Sequence, residues 1–97
     1  MDFEWDEAKR SQNWEKHRID FADADEFFSS SRFEWRDERR DYGEERHVAI
    51  GVIAGRVCVC VYTIRGSHYR IISLRRANSR EQTRYWRKVQ DQLGRRR

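Results

Sequence analysis

The sequence predicts an α+β domain: a small antiparallel sheet of about four strands, with two helices before it and one after it. Three observations carry this reading. Residues 46–76 hold three apolar segments in series, divided by the short turns Ala54-Gly55 and Gly66-Ser67. Residues 6–31 and 78–93 instead space their apolar side chains as helices do, each behind a capping residue. Four Trp, four Tyr and five Phe supply a core to a 97-residue chain that is 39% charged and would otherwise read as disordered. The length fits one domain, 1–97, ending in a basic frayed tail at about 94–97.

In order, "FEW" alternates Phe3 and Trp5 against Glu4 and reads as a short edge strand. Asp6 stands at an N-cap before "DEAKRSQNWEKH", a helix with a weak apolar stripe of Ala8 and Trp14. Asp20 caps a second helix, "FADADEFFSS", with Phe21, Ala24 and Phe28 at helical spacing, and the serines 29–31 end it. "RFEWR" reads as a strand and "RDERRDYGEE" as a loop. In "RVCVCVYTIR" both faces are apolar, which marks a central strand covered on both sides. Its Cys58 and Cys60 share a face and read as small buried side chains rather than a disulfide or metal site.

Alternation along "HYRIISLRR" puts Tyr69, Ile71, Ser73 and Arg75 on one face and Arg70, Ile72, Leu74 and Arg76 on the other. Asn78 then caps the last helix, with Glu81 three residues on completing a capping box. Tyr85, Val89 and Leu93 form its packing stripe, and Trp86 lies alongside. The helices are expected mostly on one face of a curled sheet.

Charge is divided unevenly. Residues 1–64 hold 10 Lys/Arg against 15 Asp/Glu, and residues 65–97 hold 11 against 2. A basic last third suggests a polyanion site, and an acidic front would focus the polyanion there. The arginines begin on a strand, so no helix-turn-helix reader is indicated. A face with guanidinium groups, a tyrosine and a hydroxyl suits RNA, because guanidinium forks bind phosphate and rings stack on unpaired bases. No apolar run could cross a membrane, and acids stand where a signal peptide would have bases, so a cytoplasmic protein is expected.

The segments "FEWDEAKRSQNWEKH", "ERHVAIG", "CVYTIR" and "RIISLRRAN", with Glu81 and Tyr85 on the last helix, together resemble the BrnT family of type II toxins. The resemblance runs from Phe3 to about Tyr85. Arg18 departs from it, standing where the family usually has a glycine after Lys-His. The resemblance implies a RelE-like fold, a ribonuclease that stalls translation, and a BrnA-like antitoxin partner. That antitoxin carries a ribbon-helix-helix domain, and through it the complex would reach operator DNA.

Metal-free RNA cleavage needs help to deprotonate the 2′-hydroxyl, charge stabilisation at phosphorus, and a proton for the leaving oxygen. No carboxylate cluster has metal-ligand spacing, and no cofactor is expected. The candidates for catalysis are Arg75, Arg65, His17, Glu81 and Tyr85, and for RNA binding Arg70, Ser73, Arg76, Arg80 and Arg84. Arg65, Arg75 and Arg76 would clamp phosphate. His17, Glu81 and Tyr85 would do acid–base work, although each also has a structural use: helix end, capping box and packing stripe. Arg70 could instead pair with Glu81. Trp35 and Trp86 read as core or antitoxin contacts. The competing function is an inactive homologue that serves as antitoxin partner and operon co-repressor.

Overall fold

The computed structural model describes residues 2–95. Strand β1 (Asp2–Trp5) leads into helix α1 (Glu7–His17), where the Asp6 carboxylate accepts from the backbone N–H of Ala8 and Lys9. Arg18 ends α1 in the left-handed conformation, φ 57°, with its N–H on the Trp14 carbonyl. The turn that usually takes glycine therefore forms here with an arginine. A 3₁₀ turn (Phe21–Asp23), capped by Asp20 as expected, runs into helix α2 (Ala24–Ser29). Strands β2 (Phe33–Arg36), β3 (His47–Ile53), β4 (Arg56–Arg65) and β5 (His68–Arg76) follow, then helix α3 (Ser79–Arg95). Of the tail expected at about 94–97, Gly94 and Arg95 belong to α3, and residues 96–97 lie outside the described residues.

Among the described residues one five-stranded sheet forms, in the order β1-β5-β4-β3-β2. The expectation of about four antiparallel strands is corrected here: β1 adds a fifth, parallel to β5. The central strand is β4, as its doubly apolar pattern required. Cys58, Cys60 and Tyr62 face one core, with Phe21, Ala24, Phe27, Ile71 and Leu74. Val57 and Val59 face a second, with Val48, Ile50, Ala77 and Tyr85. Both cysteines are free and buried, and burial pushes their thiols up.

The two cores qualify the expectation that the helices lie mostly on one face, because α3 lies on the other. The 3₁₀ turn and α2 bury their aromatics on the first side, and α3 lays Tyr85 on the other. A central strand apolar on both faces needs cover on both. The α3 stripe also stops short of its sequence pattern: Val89 packs partly, whereas Leu93 and Trp86 are exposed.

Strict alternation along β5 fails as well. The register shifts between Val61 and Tyr62, so Val61 pairs with Ser73, Tyr62 pairs with Ile71, and Ile72 is skipped. This β-bulge turns Ile71 to the same core as Leu74 and leaves Ser73 and Arg75 on the α3 side. Helix α1 is corrected too. Ala8 and Trp14 are exposed, and Asn13 is the buried residue. β1 pairs with β5 only as far as Ile71. Beyond it the Asn13 amide acts as the strand partner, accepting from the Leu74 N–H at 3.1 Å and donating to the Leu74 carbonyl at 2.8 Å. It also donates to the Ile19 carbonyl at 3.0 Å.

Candidate active site

The Asn13 clamp sets the C-terminal turn of α1 beside the bulged part of β5. His17, in that turn, and Ser73 line one groove together with Lys9, Lys16 and Ile72. Ser73 also lines a larger cavity, about 640 Å³, with Arg75 and Glu81. Ser73 thus joins the histidine side of the site to the arginine side. Residues 56 positions apart in the chain, His17 and Ser73, meet only because β5 folds back along α1.

Glu81 performs two tasks. Its carboxylate accepts from the Asn78 N–H at 2.9 Å while the Asn78 side chain accepts from the Glu81 N–H at 2.9 Å, the expected capping box. It also accepts from both terminal nitrogens of Arg75, each at 2.9 Å. Arg75 hydrogen bonding holds the Glu81 carboxyl below its usual range, and the same bonds raise the arginine. Arg75 is therefore a fixed cation. Its Nη1 also donates to the Arg76 carbonyl, and among the described residues its Nε–H makes no hydrogen bond. The edge carrying Nε remains for a ligand. The pairing of Arg70 with Glu81 does not occur, since Arg70 donates to Glu4 at 2.7 Å across the β1–β5 pair.

His17 is held below the ordinary imidazole value, chiefly by burial and then by the charges of Lys16 and Arg75. At neutral pH it is an acceptor of protons.

The other candidates lie elsewhere. Arg65 is at the far end of β4, paired with Glu44 at 3.2 Å. Arg76 is exposed and opposite Cys58, on the face away from Arg75. Arg80 is exposed on α3. Arg84 lines a groove with Phe33, Trp35, Tyr85 and Lys88 that shares Glu81 with the main cavity. Tyr85 is buried, its hydroxyl donates to the Ser31 carbonyl at 2.6 Å, and burial pushes its phenol up. It packs α3 onto the sheet.

Sequence reading missed the wall contributed by the end of β2 and the loop after it. Trp35, Arg36, Asp37, Glu38 and Arg39 all line the main cavity. Asp37 is buried, accepts from Arg39 Nε at 2.9 Å and Nη2 at 2.8 Å, and takes a further bond from the Tyr42 hydroxyl. The Arg39 bonds hold its carboxyl well below the carboxylate range. The alternation of acids and bases in "RDERRDYGEE" looked like a solvated loop, and only the buried carboxylate distinguishes it. Among the described residues no group of three His, Cys, Asp or Glu side chains is placed to hold a metal ion, and no helix is long and apolar enough to cross a membrane.

A family model described as ribonuclease toxin, BrnT, of type II toxin-antitoxin system matches residues 5–81. The match runs from the end of β1 to Glu81 and so includes His17, Ser73 and Arg75. No curated protein matches the chain.

Proposed function

This chain belongs to the BrnT family of type II toxin-antitoxin ribonuclease toxins, and from that premise we propose that it is a metal-independent endoribonuclease whose cleavage of RNA inhibits translation. The observation that carries the reading is the meeting of a neutral imidazole, a hydroxyl and a carboxylate-braced guanidinium across Ser73. A scissile phosphate seated over Ser73 would take the open edge of Arg75 on one oxygen and the Ser73 hydroxyl on another. His17 would accept the proton of the substrate's 2′-hydroxyl, which attacks the adjacent phosphorus. Charge gathers on the phosphoryl oxygens in the transition state, and a guanidinium fixed in advance stabilises it without reorganising. The products are a 2′,3′-cyclic phosphate and a 5′-hydroxyl, the latter protonated from solvent at this open site. Glu81 serves as the brace of Arg75 rather than as an acid or base, because it is ionised and doubly bonded.

Type II membership implies a protein antitoxin. A BrnA-like partner with a ribbon-helix-helix domain would neutralise the toxin and carry the complex to operator DNA. The bond between Arg75 and Glu81 also favours a second reading, in which the arginine is fully neutralised and the chain is an inactive partner and co-repressor.

Inducing the chain alone separates the two. Growth arrest relieved by the antitoxin is expected, and Arg75→Ala should abolish the arrest while keeping the fold and antitoxin binding. Full toxicity of a folded Arg75→Ala protein would reject the site. No arrest by folded native protein would reject the enzyme in favour of the co-repressor.

A further inference from the structure

The sheet register aligns four residues that the sequence scatters. Trp35 pairs with Val48, Val48 with Val61, and Val61 with Ser73. Four strands thus contribute one residue each to a single row on the α3 side. At about 4.8 Å per strand the row runs about 14 Å from indole to hydroxyl. The neighbouring row, Phe33, Ile50, Val59 and Arg75, is covered in part by Tyr85, whose ring sits 5.7 Å from that of Phe33. The first row opens into the main cavity, and Trp35 at its end is 48% exposed.

This cavity has an apolar floor of Val48, Val59 and Val61, and its walls set Arg36, Arg39 and Arg75 beside Asp37, Glu38 and Glu81. Valines offer water no hydrogen bonds, and the guanidinium edges that the carboxylates leave open, at Nε of Arg75 and Nη1 of Arg39, can take an anion. A ligand with a flat apolar body and an attached phosphate satisfies both. We propose that the row is a nucleobase subsite: one unpaired base of single-stranded RNA stacks on Trp35 over the valines, while the backbone beside it runs to Ser73 and Arg75. Arg39 holds that backbone from the opposite wall, and buried Asp37 is its positioning residue. The subsite rests on the ribonuclease reading and extends it to the substrate class, an RNA whose bases are free to splay out. A peptide of the antitoxin is the rival occupant, because Trp35 also borders the groove of Arg84 and Lys88. Continuity of the row with Ser73 favours the nucleotide.

The test uses a single-stranded oligoribonucleotide with 2′-O-methyl groups, which cannot be cut, and a matched oligonucleotide carrying abasic positions. Trp35→Ala should weaken binding of the first by about tenfold or more, and Trp35→Phe should restore most of it. The abasic probe should bind native and Trp35→Ala proteins alike. On cleavable RNA, Trp35→Ala should raise KM far more than it lowers kcat. Equal affinity of native and Trp35→Ala proteins for the base-containing probe, with cleavage intact, overturns the subsite and leaves the ribonuclease standing. Loss of antitoxin binding without loss of RNA binding assigns Trp35 to the protein interface and likewise overturns it. A native protein that neither cuts nor binds RNA removes both readings together.

Discussion

In the proposed reaction, His17 and Arg75 are the two groups whose charge states set the chemistry. Arg75 is cationic because Glu81 grips it, and His17 is neutral because it is partly buried near two cations. A depressed histidine pKa has a definite sign. The folded protein takes up this proton less readily than the unfolded chain, so the stabilising contribution is present above the ordinary value and lost as pH falls through the folded one. Activity should follow the same group. The log of kcat/KM is expected to rise with pH to a midpoint below about 6.5 and then level off. His17→Gln should remove that limb and cost about 10²–10⁴-fold in rate. An unchanged limb in a pH–rate series on the variant would place the base elsewhere.

At the scale of elements, the site depends on how α1 meets β5. β1 is too short to pair the whole outer edge of β5, and the Asn13 amide takes over where it stops. An asparagine is suited to this because it presents a donor and an acceptor, as a strand backbone does. Asn13→Ala should cost about 3 kcal/mol, since it leaves buried backbone groups of Leu74 and Ile19 unpaired. Chemical denaturation would measure this, and a loss under about 0.5 kcal/mol would show that water replaces the amide. The β3–α2 contact is equally specific: a Cβ on Gly51 would lie 2.8 Å from Ser30 Oγ and 3.1 Å from the Phe27 ring. At the other end of the site, the Asn78–Glu81 capping box starts α3 and aims the Glu81 carboxylate at Arg75. One local motif therefore serves both the helix and the Arg75 guanidinium.

Across the whole molecule, charge is organised by space rather than by sequence order. The basic last third supplies Arg75, but the cavity around it is completed by Arg36 and Arg39 from the net-acidic front. Much of the remaining basic charge of the last third lies on exposed faces of α3 or in ion pairs such as Arg65–Glu44 and Arg70–Glu4. RNA binding should therefore depend on salt less steeply than eleven basic residues would suggest. Two charged phosphate contacts, from Arg75 and Arg39, give a log–log slope of about −1.4. Arg39→Ala should reduce its magnitude by about 0.7. A slope several times steeper in a salt titration would mean that the α3 arginines bind RNA as well.

Much was legible in the sequence because it is governed by local rules. Hydrophobic period, turn residues and caps located α1, the three long strands, the central position of β4 and the capping box of α3. The choice of Arg75, Ser73 and His17 as candidates, which line two adjoining grooves, came from residue chemistry and the family resemblance. What the chain could not reveal locally were facts that depend on a second element. Alternation assumes an unbroken strand, so the skipped Ile72 was invisible without β4 beside it. A helix stripe is sought among apolar residues, so Ala8 and Trp14 were assigned to the packing face and Asn13 was passed over. Trp35 read as a core or antitoxin contact and Asp37 as part of a solvated loop, because which side chains line a cavity is set by neighbours remote in sequence. The sequence by itself determined which local conformations and charges were available. The tertiary structure alone decided which of them share a cavity, since cross-strand register and helix docking are long-range contacts that no single segment encodes.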